Sequence, residues 1–223
     1  MTLMLDLHLS HTESSAVFSD DGHYRYRLTR RWGPGPALMF VSLNPSTAGA
    51  HRNDATVRRD IGFARGFGYN AFNALNLYAG KATDPKALAA MTDPVGPDND
   101  AHLDAAAAEH DVIVFAWGAH AQEARARAVA TRIWRICRAS GGTVAVLGWT
   151  AHDQPRHPLY MRSDAQLQCL TAGAHVDMLD VDPRWARLLT DPAVLESYCD
   201  PPPPNPAQAA SCRPRLSPRS TAV

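Results

Sequence analysis

Apolar residues in this chain come in short runs divided by amphipathic stretches, and that alternation sets the expected architecture. Residues 15–31, SSAVFSDDGHYRYRLTR, alternate apolar and polar on both sides of Asp20-Asp21-Gly22. Asp-Gly between alternating stretches is a hairpin signal, because such turns need residues that tolerate positive φ. An N-terminal β-hairpin over 15–31 is predicted. Gly33-Pro34-Gly35-Pro36 must be a loop. From Leu38 to Leu43 the chain is continuous in apolar character, as in a core strand buried on both faces. Ala71–Tyr78, Val112–Trp117 and Val144–Leu147 are three further short apolar runs. Each is separated from the next by a helical pattern, which predicts an α/β fold with a four-stranded, mainly parallel sheet.

The helices are read from their ends and their faces. Asp54 precedes a stretch in which Val57, Ile61 and Ala64 share one face, and Gly66 or Gly68 ends it. Asp84-Pro85 opens a second helix at Lys86, since proline suits a first turn. Asp98–His110 is a third. Ala121–Ala139 is studded with arginine and carries Val129, Ile133 and Ile136 at helical spacing before Gly141-Gly142 stops it. A last helix surrounds Arg184–Leu189.

Composition narrows the class. The chain has 223 residues, 45% hydrophobic and 20% charged, which suits one globular domain, expected over residues 1–197. Residues 198–223 run through PPPPNPAQAASCRPRLSPRSTAV, too poor in apolar groups to build a core. A Pro-rich disordered tail is expected there. The 22 basic and 22 acidic residues cancel, so any anion site must be local. Lysine occurs only at Lys81 and Lys86; the arginine bias fits either phosphate recognition or GC-rich coding. No leader pattern and no apolar stretch of about 20 residues is present, so a cytoplasmic protein with no membrane partner is expected. Cys137, Cys169, Cys199 and Cys212 lack any CxxC spacing and read as free thiols, with no metal and no cofactor expected. A zinc-deaminase pattern, a Gly-x-Ser-x-Gly elbow and a phosphate-binding GxxxxGK[ST] loop are all absent from the sequence.

In open α/β sheets, ligands bind beyond the carboxyl ends of the strands. That rule selects Asn44–Ala48, Asn76–Ala79, Trp117–His120 and Gly148–Tyr160. The loop around Asn44-Pro45-Ser46-Thr47 is the centre of the expected site, although a turn followed by a helix cap would show the same residues.

MFVSLNPSTA, DATVRRDIGFARGFGY, NLYAGKATDP, DPVGPDND, FAWGAHA and LGWTAHDQPRHPLY together resemble a bacterial family, domain of unknown function 1643, over roughly residues 24–162. Two of these motifs also resemble the uracil-DNA glycosylase superfamily. In its mismatch-specific and single-strand-selective branches, a first strand ends in a Gly-x-Asn-Pro-type loop, and a His-Pro-Ser-type loop follows the last core strand. Ser42-Leu43-Asn44-Pro45-Ser46 is similar to the first, and Arg156-His157-Pro158-Leu159-Tyr160 to the second. The resemblance implies a three-layer α/β/α sandwich and a monomeric DNA glycosylase that leaves an abasic site. Asn44 would orient a water through its amide oxygen, and His157 would donate to the departing base. Pro45, Ser46, Thr47 and Tyr78 are the expected base-binding residues, Tyr78 by stacking, as Trp149 could also do. Arg58 and Arg156 are expected on DNA phosphates, although Arg156 could equally cap a strand end.

Two positions depart from the superfamily pattern: Ser42 stands where glycine is usual, and Leu159 replaces a serine that touches DNA. Ser46 is small where the uracil-specific branch has a bulky tyrosine, which implies a pocket for 5-substituted pyrimidines, such as the hypermodified bases of viral DNA. A role in defence against phage would follow. Two rival expectations keep the pocket: a hydrolase or transferase of free nucleosides or nucleotides, and a nucleic-acid-binding module without catalysis.

Overall fold

The computed structural model describes residues 13–45, 48–49, 52–82, 85–175, 178 and 180–189. Its strands are β1 (Glu13–Phe18), β2 (Arg25–Arg31), β3 (Ala37–Ser42), β4 (Ala71–Asn76), β5 (Val112–Phe115), β6 (Thr143–Val146) and β7 (Gln168–Thr171). The helices are α1 (Ala55–Gly66), α2 (Pro85–Ala89), α3 (Asn99–Glu109), α4 (Glu123–Ser140) and α5 (Pro183–Leu189), with a 3-10 turn at Pro158–Tyr160. The Pro-rich tail expected over 198–223 lies outside the described residues.

The α/β character stands, but the four-stranded, mainly parallel sheet of the glycosylase-type sandwich does not. One mixed sheet of seven strands runs in the order β1-β2-β4-β3-β5-β6-β7. Parallel ladders join β4, β3, β5 and β6, whereas β1–β2, β2–β4 and β6–β7 are antiparallel. The reason is edge pairing. Leu28–Arg31 of the hairpin bonds to Ala71–Ala74, so the hairpin extends the sheet instead of standing apart from it. Gln168–Thr171 covers the opposite edge, where an open strand would present unpaired backbone groups.

Strand alternation divides the core. Leu38, Phe40, Phe72, Val114 and Ala145 face Val57, Ile61 and Ala64 of α1. Met39, Val41, Leu75, Ile113 and Phe115 face Leu103 of α3, Ile133 and Trp134 of α4 and Trp185 of α5. Helix ends follow local chemistry. The Asp54 carboxylate caps α1 by accepting from the backbone N–H of Val57 at 2.9 Å and of Ala48 at 3.0 Å. Gly141 ends α4 in the left-handed region at φ 81°. Across α3 and α4, Arg132 donates to Asp100 at 2.7 Å and to Asp104 at 2.6 Å, and Arg125 donates to Asp100 at 2.6 Å. These bonds, Arg132's first, hold the Asp100 carboxyl below the usual carboxylate range.

A polar network ties β2 and β4 to the end of α3. Asn73 Oδ1 accepts from Thr29 Oγ1 at 2.6 Å and from Arg27 Nε at 3.2 Å. Its Nδ2 lies 2.7 Å from His110 Nε2, and His110 Nδ1 lies 2.6 Å from the Ala106 carbonyl. Nδ1 must therefore donate and Nε2 accept, which fixes a neutral imidazole. Burial lowers the His110 pKa from the ordinary 6.5. The unfolded chain then binds a proton that the folded imidazole resists, so stability is lost as pH falls below 6.5 toward the folded value. The midpoint of urea unfolding should drop over that window, and His110→Gln should flatten the drop. A midpoint that holds steady or rises on acidification contradicts this.

Candidate active site

The loops at the carboxyl ends of β3, β4, β5 and β6 enclose a cavity of about 830 Å³. Residues from all four segments selected by the strand-end rule line it, among them Asn44, Asn76, Trp117 and His157. Strand β3 ends at Ser42, and the chain turns through Leu43 into Asn44-Pro45. The Asn44 Nδ2 group donates to the Ala82 carbonyl at 2.9 Å and to the Pro45 carbonyl at 3.2 Å. Both amide hydrogens are thereby committed to backbone, and Oδ1 is the atom left to accept.

His157, which lines the same cavity, precedes the 3-10 turn and caps it: Nδ1 accepts from the backbone N–H of Leu159 at 3.3 Å. An accepting Nδ1 places the ring proton on Nε2. Burial lowers the His157 pKa, and the Asp54 carboxylate opposes that shift. The imidazole is thus a neutral donor. Its position is set by close packing with the β5 loop. Gly118, at φ 75°, lies so near that a Cβ there would meet His157 Cβ at 3.3 Å. Its backbone N–H donates to the Pro155 carbonyl at 2.8 Å, and Trp117 Nε1 donates to Gln154 Oε1 at 2.9 Å. From α1, Arg59 reaches across to the carbonyls of Pro158 and Met161 and clamps the turn.

The floor of the cavity is polar and buried. Ser42 and Asn76 are register partners on adjacent parallel strands. Asp60 of α1 and Arg25 of β2 join them among the lining residues. Arg25 Nη1 donates to the Ala48 carbonyl at 2.6 Å. Arg25 Nε, Ser42 Oγ, Asp60 Oδ1 and Asn76 Nδ2 are buried and have no hydrogen-bond partner among the described residues. Burial pushes the Asp60 carboxyl well above the carboxylate range, Asp54 adds to that shift, and Arg25 opposes it. Burial also lowers the Arg25 pKa to about 10, so its guanidinium keeps its charge at neutral pH.

The expected residues divide three ways. Asn44, Pro45, Arg156 and His157 line the cavity. Arg156, Leu159 and Tyr160 are exposed lining residues, Leu159 by 45% and Tyr160 by 79%, so an apolar pair stands in water beside an arginine. Ser46 and Thr47 lie outside the described residues. Tyr78 and Trp149 are corrected: both are buried in the core on the α3 and α4 side and neither lines the cavity. Tyr78 leaves β4 toward that side, and Trp149 packs edge-on against Trp185 at 5.1 Å. Arg58 is exposed on α1, donates to the Asn53 carbonyl at 3.0 Å and does not line the cavity.

Arg25 and Asp60 were not singled out by the pattern. Asp60 had a signal: it stands three residues after Val57 and one before Ile61, on the face of α1 that the pattern assigns to the core. Among the described residues, no group of three or more His, Cys, Asp or Glu side chains is placed to hold a metal ion. No described helix is long and apolar enough to cross a membrane. No curated protein and no solved structure matches the chain. A family model matches residues 25–159, more than half of the sequence, and the chain belongs to the family described as Protein of unknown function (DUF1643).

Proposed function

We propose that the protein is a monofunctional DNA glycosylase that removes a 5-substituted pyrimidine and leaves an abasic site. The observation that carries this reading is the pairing of Asn44 and a neutral His157 on one cavity of about 830 Å³. A base-sized ligand with a substituent fits within the usual range of small-molecule pockets. Breaking an N-glycosidic bond builds positive charge on the sugar and negative charge on the base. Asn44 Oδ1 is an acceptor with its own amide hydrogens tied back, so it orients a water without the conformational cost of finding its rotamer. His157 Nε2–H is a donor for an oxygen of the departing base. Similarity of the Asn-Pro and His-Pro loops to those of the uracil-DNA glycosylase superfamily supports the same assignment. The exposed Leu159 and Tyr160 beside Arg156 suit a ligand that offers both stacked bases and phosphates.

The test is direct. Purified protein is incubated with oligonucleotides carrying uracil and 5-substituted cytosines, then treated with alkali to cut at abasic sites. Breaks are expected at the 5-substituted bases, and Asn44→Ala should reduce them about 100-fold at little cost in DNA affinity. Absence of breaks on every substrate sinks the glycosylase reading, and activity confined to uracil sinks its 5-substituted form.

Balanced charge favours a second reading. With 22 basic and 22 acidic residues, the chain lacks the excess of cations that duplex binding by counterion release usually draws on. A hydrolase of free nucleosides would need none. Turnover of nucleosides without DNA, together with no salt dependence of DNA binding, would select it.

A further inference from the structure

Four buried, unpartnered polar atoms belong to residues that line this one cavity, and the fold explains why they share it. Ser42 and Asn76 sit opposite each other in the β3–β4 register. Alternation turns both to the sheet face that carries Phe40 and Ala74, the face covered by α1. Asp60 stands on the buried side of α1, between Val57 and Ile61. Arg25 enters from β2, with Nη1 committed to the Ala48 carbonyl and Nε left without a partner among the described residues. Unpaired buried polar atoms are costly, and four on one cavity mark a surface shaped for a ligand rather than for the fold alone. A single acid among them has its charged form disfavoured by burial.

We infer that Asp60 is the acid of this site and that it selects an aminopyrimidine of the cytosine type, meeting ring N3 and the 4-amino group as a neutral carboxyl. The carboxyl O–H donates to N3 and the second oxygen accepts from the amino group. Arg25 Nε–H and Asn76 Nδ2–H are donors for the exocyclic 2-carbonyl oxygen of the base. The turnover step rests on the glycosylase reading above, whereas the recognition does not.

In that step the C1′–N1 bond breaks and its electron pair passes into the base. The Asp60 proton moves to N3, so the base departs neutral rather than as an anion. The oxygen of water bonds to C1′ and releases a proton to solvent through the mouth, and Asp60 regains a proton from solvent when the base leaves. Uracil gains little from such an acid, because its anion spreads over two carbonyl oxygens and its N3 already carries a proton. A buried acid held neutral at working pH is therefore useful to the poorer leaving group.

The groups facing Asp60 are Asp54 from the start of α1, which favours the acid form, and Arg25 from β2, which opposes it. Ser42 and Asn76 do not titrate in the working range. His157 lines the same cavity and titrates below its ordinary value, so the readout is a ratio in which its effect cancels. Excision of a 5-substituted cytosine relative to the matching uracil should fall as pH rises from mildly acidic to mildly alkaline. Asp60→Asn keeps a hydrogen-bonding group without a transferable proton and should lower that ratio about 100-fold and flatten its pH dependence.

A ratio that changes less than about threefold in Asp60→Asn, or a wild-type ratio flat with pH, overturns the inference. The wild-type pH series decides the matter if the variant fails to fold. If the wild type excises neither base, binding of the free bases is followed by tryptophan fluorescence over the same pH series. A cytosine preference that fades with rising pH then upholds the floor while the glycosylase reading falls, and a flat preference overturns both.

Discussion

His157→Ala should lower excision about 1000-fold while leaving the affinity for abasic DNA within a fewfold of wild type. The magnitude follows from what the ring does. It is held neutral by burial, its Nδ1 is occupied by the Leu159 N–H, and its Nε2–H is the remaining donor. A donor that is already oriented costs no reorganisation as charge develops on the base, which is the situation in which one hydrogen bond is worth most. His157→Gln restores a donor but not the ring that packs edge-on against Tyr160. It should recover activity only in part. The wild-type pH profile carries a second signature. Protonating Nδ1 removes the acceptor that caps the 3-10 turn, so activity should fall as pH drops through the lowered His157 pKa. If His157→Ala excises bases at a rate within tenfold of wild type, the imidazole only shapes the loop and the donor must be sought elsewhere.

The elements that the sequence made legible are those whose local pattern and tertiary environment agree. Leu38–Leu43 reads as a buried strand because both faces of β3 are covered: Phe40 packs with Val57 and Ile61 of α1 on one side, and Met39 and Val41 pack with Leu103 of α3 and Ile133 of α4 on the other. Asp54 reads as a cap because its carboxylate bonds the first turn of α1, and Gly141 reads as a stop because its φ of 81° suits glycine. What was illegible is pairing. Nothing in SSAVFSDDGHYRYRLTR says that its second strand will bond to β4, since that depends on which sheet edge is left open. Gln168–Thr171 is short and only Leu170 is buried, so its apolar signal is that of a loop, although it completes the sheet.

The site was half legible for a related reason. Strand-end loops announce themselves by composition, whereas Arg25, Arg30 and Asp60 are charged residues in amphipathic segments, the kind normally assigned to water. Each is instead buried, at 3%, 0% and 1% exposure. Tyr78 misleads in the opposite direction. It follows the strand as a binding aromatic would, yet it points into the core on the far face.

Those buried guanidiniums lead to the largest stability effect expected outside the apolar core. Arg30→Met should lower the free energy of unfolding by about 3 kcal/mol, measured in urea at neutral pH. The Arg30 fork donates from Nε to Asn53 Oδ1 at 2.8 Å, from Nη1 to the Thr29 carbonyl at 2.8 Å and from Nη2 to the Gly49 carbonyl at 2.7 Å. Methionine fills most of the stem volume but supplies no donor, so these acceptors lose their charged partner. Arg127→Ala, on the outer face of α4 with Glu123, should change stability by no more than about 0.5 kcal/mol. Equal effects of the two substitutions would mean that solvent replaces the Arg30 bonds at no cost. The consequence reaches the cavity through the backbone. Arg25 holds the Ala48 carbonyl and Arg30 the Gly49 carbonyl, while Asp54 holds the Ala48 N–H and caps the helix that carries Asp60. Arg30→Met should therefore also slow excision in conditions where the variant is fully folded, with an intact Asn44 and His157. That pairing of lost stability with lost turnover is what a floor built on buried charge requires, and an unchanged rate in the folded variant would show that the loop keeps its place without Arg30.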